Sequence, residues 1–347
     1  MESHAEWLAQ VHEETLDPSL PIIDPHHHLW DFRKGAVDTR YFIHEFLKDA
    51  GTGHNIVASV FIECGTMFNA DADPAFAVVG ETEFVNGQAA MAASGGYGPT
   101  QVAAGIVGTA YLTQGASAGA VLDAQIAAGN GRFRGIRQAA SWDASPEVEN
   151  HRTEPMPDLY ADAKFREGFA ELAPRGLTFE AWCYHTQIPS LTRLAEAFPD
   201  TTIILDHFGG PIGVGPYADQ KEAVFERWRE SVTALARCPN VYAKLGGLAM
   251  EVNGFAWHER VKPPGSAEFM DAQKRYFEFT LEQFGVERCM FESNFPVDKL
   301  SVSYHVVWNA FKRLTSNYSA DERARLFHGT AAEVYRLEHT LARDDGA

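Results

Sequence analysis

The chain has 347 residues, of which 45% are hydrophobic, so it can bury a large core. Its net charge of −18 argues against nucleic acid or an anionic membrane surface as a partner. No apolar run is long enough to cross a bilayer, and the first 20 residues are too polar and acidic for a secretory signal. The four cysteines lack C-x-x-C spacing. We therefore expect a soluble, cytoplasmic protein without disulfides.

Apolar runs bounded by turn residues recur eight times along the chain. They are Ile22–His28, Val57–Cys64, Val102–Thr109, Phe133–Ala139, Leu177–His185, Thr202–His207, Val241–Leu245 and Cys289–Asn294. Runs that are apolar on both faces are typical of strands in a parallel sheet covered by helices. Helical composition lies between several of these runs, at Glu81–Ser94, Ser117–Ala128, Ile188–Phe198, Glu222–Arg237 and Ala267–Phe284.

The repeat length favours one fold. Successive runs begin roughly 25–48 residues apart, which fits one strand and one helix per unit, and eight such units match a (β/α)₈ barrel. The main rival is an open doubly wound sheet, which usually has a Gly-rich turn after its first strand. Histidines occupy that place here. We predict a single-domain (β/α)₈ barrel over residues 21–340, preceded by an N-terminal arm over residues 1–20.

The first strand ends in a run of histidines. Alternate strand residues share a face, so His26 and His28 should point the same way, with backbones roughly 6.6 Å apart. Two imidazoles at that spacing can bind one divalent ion or one substrate oxygen. Asp24 has the same parity and is placed to orient one of the imidazoles. A histidine run without a role is the alternative, which the ends of the other strands disfavour.

Catalytic groups of such barrels lie at the carboxyl ends of the strands. Polar residues occur at most of these ends, namely Glu63, Arg137, His185 with Gln187, Asp206 with His207, Lys244, and Glu292 with Asn294. Buried polar groups must be hydrogen-bonded, ion-paired or metal-bound, so this concentration indicates a joint function. Arg137 is expected to bind a substrate carboxylate or to pair with Glu63 or Asp143. Trp30 and Gln187 are further candidates for substrate binding.

Four motifs together resemble the amidohydrolase superfamily, and within it the branch of metal-dependent hydrolases and lactonases. They are D-x-H-x-H-x-W at Asp24–Trp30, G-I-R at Gly135–Arg137, D-H-x-G at Asp206–Gly209 and S-[DN]-x-P at Ser293–Pro296. The resemblance extends from about Ile22 to Leu337, nearly the whole predicted barrel.

The resemblance implies roles for individual residues. His26, His28 and His185 correspond to the metal ligands of strands one and five, which implies one divalent ion, with zinc expected. His207 corresponds to the strand-six histidine. Arg137 falls where related lactonases hold the carboxylate of the substrate.

Two departures from the family pattern matter for the chemistry. Strand four offers no Lys or Glu to bridge a second ion, so a two-metal centre is not expected. The strand-eight acid, which the family uses to take a proton from water, is Asn294 here, and an amide cannot act as a base. The general base would then be Glu63, Asp206, Asp298 or a histidine. Metal-free operation, as in some lactonases of this branch, also stays open.

The sequence therefore predicts a hydrolase that opens the cyclic ester of a small carboxylated catabolic intermediate. The candidate catalytic residues are His207, Asn294, Glu63 and Asp206. One alternative is a metal-dependent decarboxylase of an aromatic or muconate-type acid. The other is an inactive relative that binds a small molecule, for which Asn294 is the argument. The expected partner is a small-molecule substrate, and a homo-oligomer is left open.

Overall fold

The computed structural model of the chain describes residues 3–337, and its centre is a sheet of eight strands. The strands are β1 Pro21–His27, β2 Asn55–Ile62, β3 Gln101–Gly108, β4 Phe133–Arg137, β5 Thr178–Ala181, β6 Ile203–Leu205, β7 Val241–Leu245 and β8 Cys289–Phe291. They lie side by side in chain order, and the seven pairings from β1–β2 to β7–β8 are parallel. The predicted (β/α)₈ architecture is confirmed.

The barrel closes between its first and last strands just beyond the end of β8. The backbone N–H of Asn294 donates to the carbonyl of His26 at 3.0 Å, and that of His28 donates to the carbonyl of Phe295 at 2.7 Å. Closure therefore places the histidines at the end of β1 directly beside Asn294.

Helices cover the outside of the sheet and one end of the barrel. They are α1 His4–Leu8, α2 Ile43–Ala50, α3 Val79–Ala93, α4 Ala118–Ala128, α5 Ala163–Phe169, α6 Ile188–Ala197, α7 Lys221–Leu235, α8 Ser266–Phe284, α9 Tyr304–Leu314, α10 Ala320–Ala324 and α11 Thr330–Val334. The five predicted helices correspond to α3, α4, α6, α7 and α8. Their observed ends lie within two residues of the predicted ones.

Several predicted strands are too long at their carboxyl ends. The run Leu177–His185 was expected to continue as a strand, but β5 ends at Ala181. Likewise β6 ends before His207 and β8 before Asn294, and both of these residues have positive φ. Positive φ departs from the extended backbone of a strand, and at these positions the chain leaves the sheet. The polar residues of the barrel mouth therefore lie in the turns beyond the strands.

Two of the three apolar clusters among the described residues involve the strands and helices of the barrel. The larger one lies between the strands and the outer helices and includes fully buried residues such as Trp228, Trp308 and Phe179. The smaller one contains strand residues and the C-terminal segment around α11, namely Ile23, Ala58, Val60, Ile62, Ala104, Val107, Ile204, Met290, Ala331, Ala332, Val334, Tyr335 and Leu337. Since α11 lies by the amino-terminal ends of β5 to β7, it closes the barrel opposite the mouth.

The N-terminal arm, residues 3–20 of the described chain, is attached to α9 by polar contacts. Asn309 Oδ1 accepts from the backbone of Leu16 at 2.9 Å, and Lys312 Nζ donates to the carbonyl of Asp17 at 2.8 Å.

The four cysteines are free and buried. Within residues 3–337, none of the helices combines the length and apolar character that a bilayer span requires.

The contact between α9 and His54 predicts how stability depends on pH. Burial, together with the ammonium of Lys312, 2.8 Å from its Nδ1, lowers the pKa of His54 to about 3. The unfolded imidazole keeps the ordinary value of 6.5. Below that pH the unfolded state gains a proton that the folded state does not, so stability falls by about 2 kcal/mol between pH 7 and pH 5.

The variant His54→Gln should remove this contribution, because an amide oxygen still accepts from Lys312 without titrating. Urea unfolding of parent and variant at pH 7 and pH 5 measures the difference. We expect the variant to lose about 2 kcal/mol less than the parent over this interval. Equal losses in both proteins would show that His54 is not held neutral in the folded state.

Candidate active site

A cavity of about 230 Å³ opens at the carboxyl ends of the strands. Four predicted site residues line it: His28 after β1, Arg137 at the end of β4, His207 after β6 and Asn294 after β8. The structure therefore brings residues that are far apart in the sequence to one concave surface, where a barrel of this kind places its chemistry.

A buried carboxylate beneath the cavity contacts two of the imidazoles. Glu292 Oε1 accepts from His207 Nδ1 at 2.7 Å, and Glu292 Oε2 lies 2.8 Å from His26 Nδ1. Burial raises the pKa of Glu292, but His207 and His26 more than offset this and lower it to about 2. Glu292 is therefore an ionised partner of both rings, as its position at the end of strand eight suggested.

The backbone around His207 is in an uncommon conformation. His207 and Phe208 have φ of 50° and 60°, in the left-handed region, within the short turn Asp206–Gly209. This conformation costs roughly 1–2 kcal/mol per non-glycine residue and persists where surrounding contacts determine it. Here Glu292 Oε1 lies 3.3 Å from the backbone N–H of His207 as well as accepting from its ring, so one carboxylate fixes the ring and the turn together.

A second carboxylate is occupied by two arginines. Arg137 Nε donates to Glu63 Oε1 at 2.8 Å, and Arg152 donates to Glu63 Oε2 at 2.6 Å. Burial raises the pKa of Glu63, but Arg152 and Arg137 lower it to about 2. Of the two expectations for Arg137, the ion pair with Glu63 is present in the structure. Such a tightly paired carboxylate is a weak proton acceptor.

A layer of charged residues lies deeper in the barrel. Lys244, whose orientation the sequence left open, points into it: its Nζ lies 2.9 Å from Glu180 Oε2 and 3.5 Å from Asp206 Oδ1. Burial raises the pKa of Asp206, but Lys244 and His26 hold it well below its usual range. All four side chains are fully buried. Asp206 is therefore an ionised group in the interior, behind the wall of the cavity.

The chemistry of one donor group fits a single divalent ion. Among residues 3–337, His26, Asp206 and His207 place one ligand atom each within 4.8 Å of one another. Asp206 Oδ1 is buried without a hydrogen-bond partner in the described chain. Two imidazoles and a carboxylate form a donor set that zinc accepts.

The predicted ligands His28 and His185 are placed differently. His28 lies beside His26, with ring centroids 5.0 Å apart, and its Nδ1 bonds the carbonyl of Ile62 at 2.8 Å. That contact leaves Nε2 of His28 for a ligand. The ring of His185 instead packs edge-on against Tyr217, away from the donor group. The predicted fifth strand reached His185, but β5 ends at Ala181 and residues His185–Gln187 form a short 3₁₀ helix.

Two predicted substrate-binding residues support the loops and do not line the cavity. The amide of Gln187 donates to the carbonyl of Trp142 at 2.7 Å and accepts from the backbone of Tyr184 at 2.9 Å. Trp30 stacks beneath His28 with ring centroids 6.0 Å apart, and its indole N–H donates to the carbonyl of Asp38. Their contacts orient residues that do reach the cavity.

Asp24 does not orient an imidazole, contrary to expectation. Its carboxylate accepts from the hydroxyls of Ser293 and Tyr304, at 2.6 and 2.9 Å. It therefore joins β1 to the segment after β8 and to α9.

Asn294 lines the cavity, and its amide donates to Asp298 Oδ1 at 2.8 Å. Burial raises the pKa of Asp298 to about 7.

Other cavity residues were not predicted. Trp182 and Tyr184 lie in the run assigned to the fifth strand, where alternation with Glu180 was a usable signal. Arg33 and Arg152 come from loops after β1 and β4, and no periodicity or spacing indicates that they reach the mouth. Arg33 donates to the carbonyl of Cys64 at 2.7 Å and lies over the ring of Trp30.

An eight-stranded parallel barrel with histidines, carboxylates and arginines clustered at its mouth has the architecture of a (β/α)₈ enzyme. The chain belongs to the amidohydrolase family, whose sequence model, described as Amidohydrolase, matches residues 23–337.

Individual relatives agree with this assignment. The uncharacterised protein y4mH of Sinorhizobium fredii is 35% identical over 339 residues, which is 92% of this chain and 99% of the relative. The L-fucono-1,5-lactonase of Burkholderia multivorans is 30% identical over 177 residues, covering 51% of this chain and 57% of the lactonase. A zinc-bound amidohydrolase structure from Burkholderia multivorans superposes with a TM-score of 0.67, at 24% identity, over 91% of this chain and 99% of the other.

Gly247 makes a testable contribution to the site. A Cβ at this position would lie 2.1 Å from His207 Nδ1, and Gly247 has φ of +73°. Gly247→Ala should therefore displace the His207 ring from Glu292. Gly176 is a matched control, because its φ is +62° and a Cβ there would meet nothing within 4 Å.

Both substitutions cost about 1–2 kcal/mol for the left-handed backbone. Gly247→Ala should cost a further 1–3 kcal/mol, roughly, for the overpacking. Denaturant unfolding measures both costs. We expect Gly176→Ala to show only the first cost and Gly247→Ala to show both. If the two variants were equally stable, the close approach of Gly247 to His207 would be wrong.

Proposed function

We propose that the protein is a hydrolase that opens the ring ester of a small lactone carrying an anionic group. The observation that carries this proposal is the pair formed by His207 and the buried Glu292 at the wall of the cavity. A histidine whose ring is oriented by a carboxylate is a suitable general base for activating water. The partial likeness to an L-fucono-1,5-lactonase supports the choice of a lactone.

The proton acceptor is the Nε2 atom of His207. Because Nδ1 donates to Glu292, the neutral imidazole keeps its lone pair on Nε2. A water in the cavity can then give its proton to Nε2 as its oxygen attacks the lactone carbonyl. The acyl C–O bond of the ring then breaks, and the imidazolium returns the proton to the ring oxygen, which leaves as a hydroxyl. Glu292 stabilises the imidazolium that forms. This pair takes over the role that a strand-eight acid would have, so Asn294 does not make the protein an inactive relative.

Positive charge in the cavity suits both the substrate and the developing oxyanion. Arg33, Arg137 and Arg152 line it together. Arg137 already bonds Glu63 through Nε and lies at the base of the cavity, where a fixed guanidinium stabilises negative charge on the carbonyl oxygen. Arg152 is about one-third exposed and is better placed to meet an anionic substituent of the substrate. The binding of negative charge that was predicted for Arg137 is thus divided between Arg137, at the carbonyl oxygen, and Arg152, at the anionic substituent.

The amide of Asn294 positions the reactants. Its Nδ2 is held by Asp298, so its Oδ1 is available to accept from a water or a substrate hydroxyl. A divalent ion, when held by His26, Asp206 and His207, would supply a Lewis acid for the carbonyl or the water. A single imidazole nitrogen cannot bind an ion and accept a proton at once, so base catalysis by His207 belongs to the metal-free state.

A panel of sugar 1,5-lactones and carboxylated pyrones tests the proposal, with His207→Asn and Glu292→Gln beside the parent. Loss of a general base costs on the order of 10²–10⁴ in rate, so we expect that loss in kcat for His207→Asn. Glu292→Gln should lose activity in the same direction, since the ring then lacks its charged partner. His185→Asn is the control and should keep kcat within a few-fold, because His185 faces Tyr217.

The same panel separates the alternatives. Carbon dioxide released from aromatic or muconate-type acids, with no lactone opened, would make the protein a decarboxylase. Thermal stabilisation by these compounds without turnover of any of them would make it a binding protein. A parent that opens a lactone while His207→Asn opens it equally fast would refute the role of His207.

A further inference from the structure

Lys244 lies inside the group of residues that fits a divalent ion. Its Nζ is 3.2 Å from His26 Nδ1 and 3.5 Å from Asp206 Oδ1. These are two of the three side chains in the candidate donor group. Lys244 is fully buried and lies on β7, one residue before the end of that strand.

The ammonium is fixed from the opposite side by a separate anchor. Glu180 Oε2 lies 2.9 Å from Lys244 Nζ, and the other oxygen of Glu180 accepts from the Tyr335 hydroxyl at 2.5 Å. The Lys244 ammonium also lies 5.6 Å from the centre of the Tyr335 ring. Tyr335 belongs to the apolar segment that closes the far end of the barrel. Lys244 is therefore held between the barrel plug and the donor group.

An ion bound through Asp206 Oδ1 and His26 Nδ1 would have to share these atoms with the ammonium. An ion bound through the other two atoms, Asp206 Oδ2 and His26 Nε2, would instead meet the Arg137 guanidinium, which lies 3.5 Å from each. Zinc lies about 2.0–2.2 Å from such ligands, which would put it close to Nζ in a buried region. Two cations at that separation repel strongly where the effective dielectric constant is low. The carboxylate of Asp206, which would attract the metal, is already compensated by Lys244 and by Arg137, whose terminal nitrogen is 3.5 Å from Asp206 Oδ2.

We propose that Lys244 is the resident cation of this site: its ammonium pairs with Asp206, lies beside His26, and keeps the affinity of the site for divalent metal low. Lys244 is thus a positioning residue that makes the metal-free state the working state. The inference rests on the proposed function for its biological meaning. Its test does not depend on turnover, because the readout is metal binding.

The experiment compares zinc binding to the parent and to Lys244→Met by calorimetry and by competition with a chromophoric chelator. Methionine keeps an unbranched apolar side chain about as long as the stem of lysine and removes the ammonium, with its charge and its N–H donors. We expect the parent to bind zinc at this site weakly, and Lys244→Met to bind one zinc per chain on the order of 10- to 100-fold more tightly. Adding His26→Asn to Lys244→Met should abolish the gain.

Lys312→Met is the matched control. Lys312 is also buried, but it lies on α9 and contacts His54 and the carbonyl of Asp17. The variant Lys312→Met should leave the zinc affinity of the protein unchanged. A Lys244→Met protein that binds zinc no more tightly than the parent would overturn the proposal.

A measurement on the parent alone covers the case in which Lys244→Met does not fold. Crystals soaked in micromolar zinc should show no anomalous peak between His26 and Asp206. Full occupancy there with Lys244 still in contact, or an affinity in the nanomolar range typical of structural zinc sites, would contradict the proposal.

Discussion

The contact on which the site depends is that of one buried carboxylate with two imidazoles. Glu292 bonds His207 through one oxygen and lies 2.8 Å from His26 through the other. It fixes the ring of His207, supports the left-handed turn after β6, and ties the ends of β1, β6 and β8 together. A carboxylate so far from water is tolerable only because both oxygens have partners that can carry positive charge. Replacing either imidazole would remove one of the two partners of this buried charge.

The same requirement for charge balance organises the rest of the barrel interior. Acidic residues alternate with cations from the plug to the mouth: Glu180 with Lys244, Asp206 with Lys244 and Arg137, and Glu63 with Arg137 and Arg152. The outermost cation, Arg152, comes from a loop and is the most exposed of the set. An anionic substrate can therefore exchange with Glu63 at Arg152 without disturbing the deeper pairs. This arrangement connects the fold to the proposed preference for an anionic lactone.

Much of this could be read from the sequence, and the exceptions have physical causes. The barrel followed from the eight apolar runs. The positions of five residues at strand ends predicted that they would approach one another, namely His26, His28, His207, Arg137 and Asn294. His185 does not join the donor group of His26, Asp206 and His207, because the predicted fifth strand continued four residues past the end of β5. Loop residues such as Arg33 and Arg152 carry no periodic signal, and Lys244 could be assigned to the interior only once its partners Glu180 and Asp206 were located in space.

The tautomer of His207 tests the central claim most directly. Long-range ¹H–¹⁵N correlation spectra of the imidazoles, assigned with His207→Asn, report which ring nitrogen carries the proton at neutral pH. The bond to Glu292 predicts that Nδ1 is protonated and that Nε2 is free. Glu292→Gln should shift the His207 signals while leaving those of the exposed histidines unchanged. A His207 ring protonated at Nε2 alone would contradict the account, because no base would then face the cavity.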